Sequence, residues 1–378
     1  MKEMLILSLS NIESDPRVLR QISSFDKTTK LTVAGYSNYH NERVNFIQLN
    51  RPVRKTGFIR SFSQIKTLGS LIFRRFGSYY WITLGNQNHL RKLDQQKRYD
   101  IIIANDFDCA PLALALNSKT HILDAHEYTP DENYLSLSKL LFSGYKDWLC
   151  RSFISRFSRV FTVSDGIAER YSKEYGVPRP ELLLNAPQFE DLAPSLTTSN
   201  EIRLVHHGIA VKGRGIENIV SLMEKLPKNF SLYFYLIALD PDFYAELVSL
   251  AAADPRIRFE VPVATTNISQ SINKYDIGIF LAPPLSVNHE FTLPNKFFEF
   301  IQGRLMVAIT PSKEMELLVR RYNLGVIFNS FDIDEIALQL KSLSIQDIMQ
   351  YKNNSNLAAH QLNWENQNRA LMGYVLDC

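Results

Sequence analysis

The stretch His206-His207-Gly208-Ile209-Ala210-Val211-Lys212-Gly213-Arg214-Gly215-Ile216-Glu217 decides the reading of this chain. Apolar residues lead into it over Arg203–His207, and helical spacing follows from Ile216 to Leu226. The segment is therefore a strand, a tight turn and a helix. Glycines let backbone N–H groups come close to a ligand. Lys212 and Arg214 set positive charge beside a helix N-terminus, which itself attracts anions. The combination suits a diphosphate. It is not a Walker A sequence, and its glycine spacing departs from the dinucleotide G-x-G-x-x-G. A tight turn carrying solvated basic residues would use the same residue types, so the turn alone leaves both readings open.

Outward from this turn the same alternation continues. Strands are predicted at Arg203–His207, Leu232–Ile237, Ile257–Phe259, Asp276–Leu281, Leu305–Thr310 and Gly325–Ile327, with helical stretches between them. An earlier series runs Met4–Leu9, Leu31–Gly35, Asn45–Leu49, Ile101–Asn105, His121–Asp124 and Val160–Val163. Strands that are apolar throughout and alternate with helices indicate βαβ units and parallel sheets. Between the series, Leu192–Asn200 is rich in Pro, Ser and Thr and lacks periodicity. The expected fold is α/β, with two Rossmann-like domains facing a cleft. Residues 1–190 form the first domain, 191–200 the linker and 201–360 the second domain. Residues 361–378 form a C-terminal helix, a candidate to cross back to the N-terminal domain.

Length and composition agree. At 378 residues, two domains are expected, and 45% hydrophobic residues exclude a disordered chain. Residues 1–199 carry 26 Lys and Arg against 20 Asp and Glu, and residues 200–378 carry 16 against 19. A basic first half points to an anionic partner there, though the net charge of +3 is too small to suggest nucleic acid. Cys109, Cys150 and Cys378 form no Cys-x-x-Cys, so neither a zinc site nor a redox pair is expected. The apolar stretch Met4–Leu9 is short and runs into polar Asn11, Glu13 and Asp15, which reads as a strand rather than a signal peptide. No apolar run reaches the ~20 residues that span a bilayer. The expected location is the cytoplasm.

Three further segments carry candidate chemistry. In Thr292-Leu293-Pro294-Asn295-Lys296-Phe297-Phe298-Glu299, Pro294 or Asn295 opens a helix. Lys296 then sits in the first turn, where a cation opposes the helix dipole. An anionic ligand would reverse that penalty, and Glu299, three residues on, could accept hydrogen bonds from a ribose diol. Asp124-Ala125-His126-Glu127-Tyr128 ends a strand and turns His126 toward a ligand or into the fold. In Ser14-Asp15-Pro16-Arg17, Asp15 is a helix N-cap with Pro16 at the first helical position. The pairs Asp106/Asp108, Asp240/Asp242 and Asp332/Asp334 each form Asp-x-Asp. Three such triplets on separate loops argue that none is special, and no metal is expected.

Taken together, these segments resemble the GT-B glycosyltransferases, and glycosyltransferase family 4 in particular. The resemblance spans nearly the whole chain. Asp15-Pro16-Arg17-Val18 is similar to the family's early "DPRV", and Asp124-Ala125-His126-Glu127 to its "DaHE" strand end. Phe161-Thr162-Val163-Ser164-Asp165 with Asn185 and Pro187 resembles "TVS…N.P". Gly208 with Arg214-Gly215-Ile216-Glu217 resembles "G…RGIE", and Leu293–Glu299 resembles "lPNKlfEy". The resemblance implies that Arg214 and Lys296 hold the diphosphate of a nucleotide-sugar. Gly208, Lys212 and Asn295 would assist, and Glu299 would take the ribose. It sets His126 beside the transferred sugar and Asp15 and Arg17 on the acceptor side. Retaining members carry two glutamates eight residues apart. Counting back from Glu299 gives Phe291, so the adjacent Glu290 is the candidate partner. The loop Ser8-Leu9-Ser10-Asn11 lacks the family's glycine pair.

The implied activity is transfer of a sugar from a nucleotide-sugar to a glycan or lipid-linked acceptor in bacterial surface polysaccharide synthesis, with no cofactor and no metal. A nucleotide-sugar epimerase on the same fold and a non-catalytic partner subunit are the alternatives. Residues 51–98 hold eleven basic side chains and one acid, Asp94, interleaved with aromatic and apolar residues. Such a segment suits an anionic membrane surface, which would make the protein peripheral at the inner face of the membrane. Packing on the first domain would use the same apolar residues. No RNA motif accompanies the charge, so nucleic acid is not an expected partner.

Overall fold

The computed structural model describes residues 1–37, 39–51, 69–84, 87–94, 98–131 and 138–376. The chain divides into two compact units. One comprises Met1–Leu184 with Asn368–Cys378, and the other Asn185–Gln367.

The first unit is built on seven strands: β1 (Glu3–Asn11), β2 (Lys30–Tyr36), β3 (Val44–Gln48), β4 (Tyr99–Asn105), β5 (Ser118–Asp124), β6 (Arg159–Thr162) and β7 (Glu181–Leu182). Their spatial order is β3-β2-β1-β4-β5-β6-β7, and every pairing is parallel. Met4, Leu5, Ile6 and Leu7 of β1 are all fully buried. A central parallel strand has helices on both faces, so both sets of alternating side chains leave water. β7 is two residues long, too short for any sequence period to announce it.

The second unit has β8 (Ile202–Ile209), β9 (Phe230–Ile237), β10 (Ile257–Phe259), β11 (Ile277–Phe280), β12 (Met306–Ile309) and β13 (Gly325–Ile327), in the order β10-β9-β8-β11-β12-β13. Leu204, Leu232, Phe234, Ile277, Ile279 and Met306 pack with Ile219, Leu222 and Met223 of the helix Ile216–Lys225 in one core. Each unit thus has the doubly wound strand order. In that order the chain reverses direction between two central strands and opens a crevice at their carboxyl ends. In the second unit those strands are β8 and β11, and in the first they are β1 and β4.

The stretch expected as a linker lies inside the second unit, and the boundary falls earlier, between Leu184 and Asn185. The Ser195 hydroxyl donates to the Asn273 carbonyl at 2.7 Å and Thr197 to Asp276 at 2.7 Å. Asp276 also receives Arg203 and the fully buried Lys352. Lack of periodicity therefore marks an extended strap tied down by polar side chains. The last helix, Trp364–Leu376, ends in the first unit, where the Tyr374 ring lies 5.8 Å from Phe161 and under the Arg159 guanidinium.

Much of the basic segment expected to meet a membrane, including Arg54, Lys55, Arg60, Lys66 and Lys97, lies outside the described residues, as does Cys378. Of the rest, Arg51, Arg74, Arg75, Arg91 and Arg98 are exposed, as are Ile72 and Phe73. No helix among the described residues is long and apolar enough to cross a membrane.

Candidate functional site

The carboxyl ends of β8 and β11 bring together the two segments singled out in the second half. β8 ends at His206-His207-Gly208-Ile209. The helix Asn295–Gln302 starts after Pro294, which has an extended backbone (φ −72°, ψ 153°). Phe297, Phe298, Phe300 and Ile301 are buried and anchor this helix to the core, which leaves Asn295 and Lys296 at its N-terminus. Lys296 reaches across β8. A Cβ on Gly208 would stand 3.3 Å from its amine, so a side chain there would crowd the lysine and shift it by a few tenths of an ångström. Gly208 also has φ +120°, open to glycine and costly for other residues. Gly215 is stricter. At φ +72° it starts the helix Ile216–Lys225, and a Cβ there would stand 2.1 Å from the Leu281 carbonyl oxygen.

Lys296 Nζ lies 3.2 Å from His206 Nε2 and 5.0 Å from the centre of the Phe280 ring. His206 Nδ1 lies 2.8 Å from the Ile279 carbonyl, an acceptor, so Nδ1 carries the proton and Nε2 is free to accept from the lysine. Among the described residues no carboxylate lies within ion-pair distance of Lys296. Burial, followed by the nearby Arg214 charge, pushes its pKa down to about 7, against the pull of Glu299. Burial and then the Lys296 charge hold His206 and His207 well below the usual histidine range, so both rings are neutral. Glu299 is 4% exposed, with Oε2 3.5 Å from His207 Nε2. Asn295 Oδ1 is buried without a hydrogen-bond partner. Arg214 is exposed and forms no ion pair or hydrogen bond among the described residues. A helix N-terminus, an unmatched lysine and a free arginine make this strand end attractive to an anion with several oxygens.

Two expected members are engaged in ion pairs. Lys212 pairs with Glu246 at 2.9 Å and lies over the Phe243 ring, because the turn directs its side chain toward the helix Pro241–Ala251. Glu290 ends a short helix capped by Ser286 and pairs with Lys313 at 2.5 Å. Sequence spacing carries no sign of this partner, 23 residues beyond Glu290.

In the first unit, His126 follows β5. Its Nδ1 lies 3.3 Å from Asp106 Oδ2, and its Nε2 lies 3.1 Å from Asn105 Oδ1 and 3.6 Å from Asp124 Oδ2. Its backbone N–H donates to Asp106 Oδ1 at 3.2 Å. Burial works against charging this ring, but Asp106 and Asp124 outweigh it and raise the pKa. Acceptors at both nitrogens hold the ring in place and favour its protonated form. Asp106 holds φ +65° and ψ 157°, a backbone region nearly confined to glycine, and such strain costs ~1–3 kcal/mol.

The expected acceptor-side residues have structural work instead. Asp15 Oδ1 accepts from the Val18 N–H at 3.2 Å and Oδ2 from the Ser10 hydroxyl at 2.7 Å. Arg17 is 3% exposed and is spent on Asp124 and the Leu183 carbonyl. Gln21 joins them, donating to Asp124 at 2.6 Å and accepting from Asn105 at 3.0 Å. Sequence reading missed Gln21, Asn105 and His206. Their only signal was position, at the end of an apolar strand or one helical turn past a cap. Asp108 pairs with Lys146, and no group of three His, Cys, Asp or Glu able to hold a metal occurs among the described residues.

The family model of Glycosyltransferase Family 4 matches residues 56–184. No curated protein matches the sequence. Among solved structures, the chain is similar to the sucrose-phosphate synthase of Thermosynechococcus elongatus, with TM-score 0.73 and 11% identity over 100% of this chain and 98% of that one. It is similar to WaaG, described as a glycosyltransferase involved in lipopolysaccharide biosynthesis, with TM-score 0.66 and 11% identity over 98% and 99%. Anabaena HepE, solved with UDP and glucose, gives 13% identity over 100% of both chains. At such identities the likeness establishes the fold. This chain has the GT-B fold and is similar to glycosyltransferase family 4.

Proposed function

We propose that this chain is a glycosyltransferase that moves a sugar from a nucleotide-sugar to a glycan or lipid-linked acceptor in bacterial surface polysaccharide synthesis, with retention at the anomeric carbon. The observation that carries the reading is the Lys296 amine laid across Gly208, with no carboxylate partner among the described residues and with Arg214 on the neighbouring turn likewise unpaired among them. Transfer breaks the bond between the sugar's anomeric carbon and the diphosphate oxygen, forms one to an acceptor oxygen, and releases the acceptor's proton. Negative charge grows on the departing diphosphate. Lys296, Arg214 and the helix N-terminus stabilise that charge, and fixed donors of this kind act most strongly where charge develops. Glu299 takes the ribose hydroxyls, and His126, at a strand end of the first unit, is the sugar-contacting residue that the family resemblance implies. HepE was solved with UDP and glucose, and WaaG is described as acting in lipopolysaccharide biosynthesis, which supports this donor class and setting.

A thermal-shift screen with UDP, GDP, ADP, CMP and dTDP tests the reading. A nucleotide at 100 times its Kd adds about 2.7 kcal/mol of stability. Absence of any shift across the panel would refute a nucleotide-sugar donor. The exposed Ile72, Phe73, Arg74 and Arg75 support a contact with an anionic membrane. Sedimentation with anionic vesicles at low salt checks it, and protein left in the supernatant excludes it.

A further inference from the structure

The donor-site reading gives Lys296 a phosphate to bind but leaves its partner unexplained. A phosphate-binding lysine commonly stands free in water or paired with a carboxylate. Here it donates to the neutral nitrogen of a histidine whose other nitrogen is committed to the backbone of β11. Among the described residues no countercharge is in contact with the lysine. Facing the amine are His206 and His207 from β8, Arg214 from the turn, the Phe280 ring from β11 and Glu299 from its own helix. Of these, Glu299 is the sole negative group; it lies 3.5 Å from His207 Nε2 and pulls the Lys296 pKa upward without overcoming burial. The amine also sits in a helix first turn, where a cation is disfavoured.

We infer that His206 is a positioning residue that holds Lys296 for proton uptake, so that each nucleotide diphosphate binds together with one proton from solvent. The inference rests on the donor-site reading above. The balance is simple. The amine takes one proton from water or buffer, no covalent bond to the ligand forms, and the proton leaves again with the diphosphate. His206 accepts from Lys296 in both states, because its Nδ1 proton remains on the Ile279 carbonyl. It therefore fixes where the charge appears without titrating itself. The depressed pKa of Lys296 supports this, since an amine that ionises near neutrality can respond to ligand charge at working pH.

Calorimetry of UDP, GDP and ADP binding at about pH 8 provides the test, because the terminal phosphate, with its ionisation near ~6, contributes little there. Repeating each titration in buffers of different ionisation enthalpy counts the protons. The expected result for a nucleotide that binds is uptake approaching one proton, with affinity falling up to about tenfold per pH unit above that point. Lys296→Arg keeps the charge at every pH, so it should bind with no proton uptake. His206→Phe keeps a ring but removes the acceptor, and should weaken binding roughly 3- to 10-fold, the loss of one hydrogen bond. His206→Gln, which can still accept from the amine, should recover most of that loss. Binding by the wild type with no proton uptake and a flat pH profile would overturn this inference and leave the donor site standing. Uptake unchanged in Lys296→Arg would overturn it too, and that arm holds even if His206→Phe fails to fold. Failure of these three and of CMP and dTDP to bind would remove the donor site, and this inference with it.

Discussion

Arg17 and Asp124, 107 residues apart in sequence, are joined by two parallel hydrogen bonds, Nε to Oδ2 at 2.7 Å and Nη2 to Oδ1 at 2.6 Å, with both side chains out of water. This bidentate pair ties the first helix to the end of β5, directly behind His126. Burial alone would lift the Asp124 pKa, but the Arg17 charge outweighs it and holds the carboxyl well below the usual range. The pair is a buried unit, and removing one half strands the other.

Arg17→Met therefore leaves an uncompensated buried carboxylate. The expected cost is about 3–5 kcal/mol of stability, read by urea unfolding. Nucleotide affinity of the folded variant should be unchanged, since the donor residues lie in the other unit. A loss under ~1 kcal/mol would show that water or rearrangement satisfies Asp124.

Lys296→Ala removes a cation from where diphosphate charge grows. The predicted loss in kcat/KM is roughly 2–4 kcal/mol, that of one oxyanion-stabilising group. A folded variant with near-normal turnover would show that Lys296 does not bind the leaving group.

Glu299→Gln should weaken nucleotide binding by about 1.5–3 kcal/mol, the range for hydrogen bonds to a charged group. Calorimetry with the best nucleotide of the panel decides. Unchanged affinity would leave Glu299 a purely structural neighbour of His207.

The His126 pKa is raised in the folded state, so the fold binds its proton more tightly than the unfolded chain does. Its contribution to stability is complete below the unfolded value of about 6.5 and is lost as pH rises through the raised folded value. Unfolding curves at several pH values should show the wild type's advantage over His126→Gln shrinking as pH rises above that point. An advantage independent of pH would mean the ring is neutral in the fold.

Transfer is expected to survive EDTA, because Lys296 and Arg214 supply the positive charge and Asp108 is engaged by Lys146. Activity abolished by chelation and restored by Mn²⁺ would return attention to Asp106 and Asp108.

The sequence by itself determined the regular part of this protein. Apolar runs such as Met4–Leu9 and Leu232–Ile237 can be stable only as strands buried on both faces, and the helical spacing between them requires parallel crossovers. Gly208 and Gly215 announced a backbone turned where side chains do not fit, and Pro294 announced a helix start. These properties are local, set by each residue's own conformational freedom and by period. Tertiary structure decided which cation reaches which partner. Lys212 and Lys296 read alike as basic residues near helix starts, yet one closes on Glu246 and the other crosses Gly208 to His206, 90 residues away. Arg17 looked like a ligand-binding residue and became the buried partner of Asp124. A long charged side chain pairs with whatever the strand order and register bring within hydrogen-bond reach. For Asp124, opposite Asn105 across the β4 and β5 pairing, those neighbours come from two distant segments that no local pattern links.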